Sequence, residues 1–267
     1  MAKSTRGGKA GATTAFTMRQ PAFHPVTNPR PTPQPTPQPI QPAQNVNAIS
    51  ASYDAFLKMT DDQKADVILQ GSNTQVPAFL AQNDLQRVLY SLSLNDKPTL
   101  VADSVLDTLP GKVLYRNVNE AIDASNRMRF SADEVAAQNI KGSVTRVSDT
   151  GGSVHGRGIY FADNYSSSGM YGNTMGNIKK TAVIRAKLNS NARTIAEHMA
   201  DSGLAAEVRS GSKLGRAISN MDRHSQKSLW ALAKGYNVIV ASNGYHIVLN
   251  RTALTASDAI KAKGYNW

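Results

Sequence analysis

An α+β domain behind a short helical region and a disordered tail is what this 267-residue sequence predicts. Three features lead there. The first 47 residues are basic, rich in proline and without apolar periodicity. Apolar residues then recur at helical spacing up to Pro110-Gly111. Beyond Gly111, strand-like runs and helical segments follow one another without regular alternation, which argues against a doubly wound sheet. The expected divisions are a tail at 1–47, a helical accessory region at 48–110 and an α+β domain at 111–267.

Residues 1–47 carry Lys3, Arg6, Lys9, Arg19 and Arg30 and no acid, so they supply +5 of the formal net charge of +11. Nine of the twelve prolines lie between Pro21 and Pro42, which fixes φ at nearly every second position and favours an extended, polyproline-like linker without a core. The alternative is an address that docks on an acidic surface, such as nucleic acid, in a salt-dependent way.

The helical region follows from local signals. Ser52 can cap a segment containing Tyr53, Phe56 and Leu57, and Thr60 with Gln63 reads as a capping box ahead of Val67, Ile68 and Leu69, with Gly71 as the stop. Leu85, Val88, Leu89 and Leu92 share one face of a third helix.

In the domain that follows, strands are expected at Val113–Val118, Gly158–Ala162, Thr181–Leu188, Asn237–Ala241 and Tyr245–Asn250. Helices are expected at Asn119–Met128, Ser131–Ile140 (capping box Ser131/Glu134), Ala192–Val208 and Ser225–Gly235. The run Arg209–Lys227, with five basic residues among Gly and Ser, reads as a mobile surface loop.

Composition removes several chemistries. Without cysteine there is no disulfide scaffold, no thiol nucleophile and no Cys-ligated zinc or iron-sulfur centre. The five histidines have no metal-ligand spacing, so no metal is expected. No apolar run approaches the roughly 18 residues that a membrane crossing needs, and no apolar segment follows the basic N-terminus as in a secretory signal. Gly151–Gly158 has Arg157 in place of a P-loop lysine, Gly158 in place of the Ser/Thr, and a strand where a helix should begin, which rejects phosphate-loop chemistry.

The informative stretch is Gly156-Arg-Gly-Ile-Tyr-Phe-Ala-Asp-Asn-Tyr-Ser-Ser-Ser-Gly-Met-Tyr171. Its glycines permit close backbone approach before a strand carrying Tyr160, and the polar turn after Asp163 can start a short helix carrying Ser168 and Tyr171. Two rings and a hydroxyl converging on a slot suit a flat carboxamide heterocycle. The pattern G-x-G-I-Y-F-A-D-x-x-S-x-S-x-x-Y resembles the nicotinamide-pocket motif of the PARP-like ADP-ribosyltransferases, which use NAD. Val113-Leu-Tyr-Arg116 resembles their first core strand, in the version with arginine where other members have histidine. Ala182–Leu188 with Asn191-Ala-Arg-Thr-Ile resembles the core strand after the pocket. The likeness covers about residues 112–255, and the combination of modules looks most like transferases encoded by tailed phages.

The resemblance implies an ADP-ribosyltransferase-like split mixed and antiparallel sheet with NAD as co-substrate. Arg116 would hold the diphosphate or adjacent ribose. Gly158 would offer its backbone and Ser168 its hydroxyl to the nicotinamide amide, and Tyr160 and Tyr171 would sandwich the ring. The family places a glutamate on a late strand, but Ser242–Asn250 holds no acid. Aligning His246-Ile-Val-Leu with that strand puts Tyr245 at the glutamate position, and a slip of one gives Gly244 or His246. Tyr245 and His246 alternate faces, so one of them at most points at a ligand.

The expected activity is therefore transfer of a single ADP-ribose to a protein or nucleic-acid acceptor, in a cytoplasmic setting (that of a host for a phage protein) or in a virion. The alternative is a catalytically silent NAD-binding or virion structural protein that keeps the fold. His155, just before the Gly-Arg-Gly turn, reads as a solvated loop histidine, with a place at the pocket rim as its alternative.

Overall fold

The capping box expected at Thr60 opens α2 (Asp61–Ser72): Gln63 N–H donates to Thr60 Oγ1 at 3.3 Å, and Thr60 N–H donates to Gln63 Oε1 at 2.9 Å. This geometry comes from a computed structural model that describes residues 53–76, 83–92, 97–122, 128–142, 154–169, 181–259 and 261–263. All of them belong to one unit, Asn45–Trp267, so the tail at 1–47 lies outside the described residues. Before α2 comes α1 (Tyr53–Leu57), and after it α3 (Asp84–Ser91). Gly71 does not stop α2 but sits inside it. A Cβ there would come within 2.9 Å of Val88 Cα, so the bare glycine is what lets α2 and α3 touch.

Thr99–Val101, expected among the helices, is instead strand β1, followed by α4 (Asp103–Thr108). The next strand, β2 (Leu114–Asn119), lies where expected. The helix expected at Asn119–Met128 is not seen: its described ends belong to β2 and to an antiparallel pair, β3 (Ala121–Ile122) and β4 (Met128–Phe130), while 123–127 lie outside the described residues. The second capping box holds: Ser131 and Glu134 bond reciprocally at the start of α5 (Ala132–Lys141).

Strand β5 (Ile159–Ala162) leads into a short α6 (Tyr165–Gly169), and β6 (Thr181–Leu188) has the expected bounds. What was expected as one helix over Ala192–Val208 begins as strand β7 (Thr194–Ala196), because β-branched Thr194 and Ile195 pair in parallel with a later strand; α7 (Glu197–Arg209) follows. The surface loop expected at Arg209–Lys227 is largely helical. Ser212 caps α8 (Lys213–Ser219), whose Leu214, Ala217 and Ile218 are buried, and α9 (Arg223–Ala233) comes next. The chain then forms β8 (Val238–Val240), β9 (Tyr245–Val248), β10 (Leu254–Ser257) and β11 (Lys261–Lys263).

These strands make a mixed α+β architecture. Among the described residues, the main sheet runs β1-β10-β6-β2-β5-β9-β8-β7, with β11 also on β6. Parallel pairs stand at its two ends, β1 with β10 and β7 with β8, and the pairs between are antiparallel. Side chains alternate across the sheet, so each face has its own core. On one face Ala162, Ile195, Ile239, Tyr245 and Ile247 pack with residues from α1, α2, α3, α7, α8 and α9. On the other, Leu114, Val118, Phe161, Ile184 and Val248 pack with Ala132, Ala136 and Ile140 of α5. The early helices thus share a core with the late strands, and Tyr53 donates its phenol to the Leu232 carbonyl at 3.0 Å.

Arg251 ties α5 to the rest. It is 5% exposed, and its guanidinium donates to the carbonyls of Asn139 at 2.9 Å and Gly142 at 2.8 Å, two of the acceptors that the end of a helix leaves open. Arg251→Met keeps the stem but strands those carbonyls. The expected loss is about 1.5–3 kcal/mol in urea-induced unfolding.

Candidate functional site

The turn before β5 is built around backbone constraints. Gly156 has φ +103°, a region that side chains rarely adopt, and a Cβ there would also lie 2.9 Å from Ser228 Oγ. Arg157 is clamped onto the start of α9. Its N–H donates to His224 O, its carbonyl accepts from Ser228 Oγ at 2.6 Å, and its Nε donates to Asp222 Oδ1 at 3.3 Å. Asp222 in turn caps α9 through the N–H groups of His224 and Ser225, and it exchanges bonds with Asp84 at the start of α3. Burial raises the Asp222 carboxyl, but these bonds and Arg157 outweigh it and hold the group below the ordinary aspartate range.

Gly158 packs directly on β9, where a Cβ would fall 2.4 Å from Ile247 Cγ2, so the two strands touch closely at this point. Tyr160 points to the helix-rich face, half-buried, with its phenol donating to Gly156 O at 2.5 Å. Tyr245, on β9 next to Ala162, points the same way; the two rings lie 6.4 Å apart with planes tilted by 60°. The Tyr245 phenol donates to Ser167 O at 3.1 Å and so fastens α6 to the strand. Ser168 is buried and its hydroxyl donates to Tyr165 O at 2.7 Å. Tyr171 lies outside the described residues.

Arg116 and His246 belong to the opposite face. Arg116 stands across from Ile184 on β6, between Leu114 and Val118, and His246 stands across from Phe161. β2 and β5 share one register pair, Tyr115 with Ala162, and the ladder goes no further among the described residues. Arg116 works at this parting: its Nη1 donates to the Tyr160 carbonyl at 3.0 Å, while its buried Nε has no partner among the described residues. Burial lowers its guanidinium to about 10, which leaves it charged at neutral pH. Burial likewise lowers His246 below the ordinary imidazole range, against a bond to the Gly244 backbone and the pull of Asp163; its Nδ1 is unpartnered among the described residues.

One group gathered at Tyr245 goes beyond the expectations, which place His155 at the pocket rim only as an alternative and do not pair it with Glu197. His155 stacks on the Tyr245 ring with centroids 6.4 Å apart and planes 29° apart. Its Nδ1 lies 2.9 and 2.8 Å from the two carboxylate oxygens of Glu197 in the first turn of α7, and its Nε2 lies 3.1 Å from Asn243 Nδ2. Lys227 of α9 binds Glu197 and Asp201, each at 2.8 Å. The solvated loop histidine is thus a partnered one with a side chain 19% exposed. Burial raises the Glu197 carboxyl, but the bonds from Lys227 and His155 hold it below the ordinary glutamate range. Nothing local in the sequence signals this group, since His155 and Glu197 are 42 residues apart.

The arrangement places an ionised carboxylate and an imidazole beside a buried Tyr245 and a half-buried Tyr160. Among the described residues no cluster of three or more metal-ligating side chains occurs, and no helix is long and apolar enough to cross a membrane. No family model matches the chain, and neither a curated protein nor a solved structure matches it.

Proposed function

We propose that the chain is a mono-ADP-ribosyltransferase that uses NAD to modify a protein or nucleic-acid acceptor. The observation that carries the reading is the Tyr160–Tyr245 pair, whose rings lie 6.4 Å apart on one sheet face, Tyr160 within the transferase-like motif and Tyr245 on the neighbouring strand β9. The parting of β2 from β5 beside Arg116 suits the split sheet of such enzymes. Stacking on tyrosine would hold the nicotinamide ring and fix its angle to the ribose. Cleavage then releases neutral nicotinamide while the sugar becomes oxocarbenium-like, and the acceptor attacks that carbon. The basic segment 1–47 would tether the enzyme to an acidic surface such as nucleic acid. Its place of action would be the cytoplasm or, for a phage protein, the host cytoplasm or the virion.

A second reading, a silent NAD-binding or virion structural protein, is favoured by one observation. In the alignment that puts Tyr245 at the family's glutamate position there is no acid, and the Tyr245 phenol is already committed to Ser167 O. Calorimetry with NAD, followed by an assay of nicotinamide release, separates the readings. Binding with release supports the transferase, binding without release supports the silent protein, and no binding overturns both as NAD readings. For a binding parent, Tyr160→Leu is expected to weaken NAD by about 1–3 kcal/mol, the scale of aromatic stacking on a base. Unchanged affinity in that variant excludes the tyrosine pair as the pocket.

A further inference from the structure

We propose that His155, oriented by Glu197, is the general base that takes the acceptor's proton, a role that rests on the transferase reading above. The late strand has no acid, and Glu197 is a carboxylate brought by another route to His155, which stacks on Tyr245. β7 lies parallel to β8, and α7 begins directly after it, so its first residue is delivered to the turn that carries His155.

The contacts define the imidazole's tautomer. A carboxylate only accepts, so Nδ1 carries the hydrogen that faces Glu197, leaving Nε2 with the lone pair, toward which the Asn243 amide donates. That lone pair sits on a ring stacked against Tyr245, which in turn neighbours Tyr160. An acceptor group that displaces the Asn243 amide from Nε2 meets that lone pair directly. The charged and titratable groups facing the imidazole are Glu197 from α7, Lys227 from α9 with Asp201 behind it, and Tyr245 from β9. Lys227 keeps Glu197 ionised, and Glu197 stabilises the imidazolium that forms.

The step balances. The acceptor X–H bonds through X to the ribose carbon, and the bond from that carbon to nicotinamide breaks, its electron pair leaving on the ring nitrogen. The X–H proton passes to Nε2 and later to solvent. Products are ADP-ribosylated acceptor, neutral nicotinamide and a proton. Water in place of X–H gives ADP-ribose.

The test uses the full chain and NAD, with nicotinamide release, calorimetry and thermal melting as readouts. His155→Ala is expected to lower kcat about 100-fold or more with NAD affinity unchanged, and added imidazole should restore much of the rate. The acid limb of the parent's kcat profile should vanish in the variant. Parental kcat in His155→Ala overturns the proposal, and so does a loss that imidazole fails to restore in a normally melting variant. If the alanine variant does not fold, His155→Gln, which keeps a donor toward Glu197, is expected to show the same loss, and a parental rate in it is equally fatal. A parent that neither binds NAD nor releases nicotinamide overturns the transferase reading itself and the base with it, an outcome distinct from a parent that turns over and a variant that does so equally well.

Discussion

Asp222→Ala is expected to lower the free energy of unfolding by about 2–4 kcal/mol, read from urea titration followed by circular dichroism. The cap of α9 by itself is worth about 1 kcal/mol. The rest comes from three partners left behind: the Asp84 N–H, the Ser225 hydroxyl and the Arg157 guanidinium. The Arg157 pair adds little, because the Asp222 side chain is 32% exposed and the pair is partly screened. Asp222→Asn keeps a capping oxygen but removes the charge and the second acceptor, which the Asp84 N–H and the Ser225 hydroxyl share. The Asp222 carboxyl titrates lower when folded than when unfolded, so its charge contributes stability above the unfolded value, near pH 4, and that contribution disappears as the pH falls through the folded value. The gap between parent and Asp222→Asn should therefore be widest near neutrality and close in acid. A gap that widens on acidification contradicts the assignment.

Trp230→Ala should cost more, about 3–5 kcal/mol, the scale for truncating a buried aromatic residue. Trp230 is 8% exposed, stacks on Tyr236 at 6.4 Å and fills the space over Gly203 of α7. A Cβ at 203 would fall 2.2 Å from the ring, and the stack on Tyr236 limits how far the indole can yield. Gly203→Ala alone should cost about 1–3 kcal/mol by overpacking, and the two substitutions together should cost less than their sum, because the methyl enters the space the indole leaves. Trp230→Phe should be milder than alanine, since it keeps a ring in the same space and leaves a smaller cavity. Strict additivity of the double variant would show that Gly203 and Trp230 do not share a contact.

What the sequence made legible was local. The capping boxes at Thr60/Gln63 and Ser131/Glu134 lie within four residues, and both start helices as read. β6 was legible because eight residues rich in β-branched and apolar types suit the middle of a sheet. The misreadings involve partners far along the chain. Gly71 looked like a stop and Gly215 like part of a loop, yet both lie within helices at close crossings: a Cβ at 215 would fall 2.3 Å from the Glu207 carbonyl. Thr194–Ala196 looked helical because β8, its strand partner, comes some forty residues later. At the site, the motif foretold the strand under Tyr160 and the short helix under Ser168. It did not foretell that the Ser168 hydroxyl would turn inward to Tyr165, or that Arg116 would occupy the opposite face. Glu197 is one of only four glutamates in the chain, none of them on the late strand, and its contact with His155 exists only through the packing of α7.

The pairing of β1 with β10 has a consequence for biosynthesis. Val101 meets Ser257, and Tyr53 meets Leu232, so these segments wait for partners some 150 to 180 residues further along the chain. At about 5–20 residues per second that delay is on the order of ten to thirty seconds, during which the apolar stripes of α2 and α3 lack their cover. Refolding from denaturant should accordingly be slow, with yield falling as protein concentration rises.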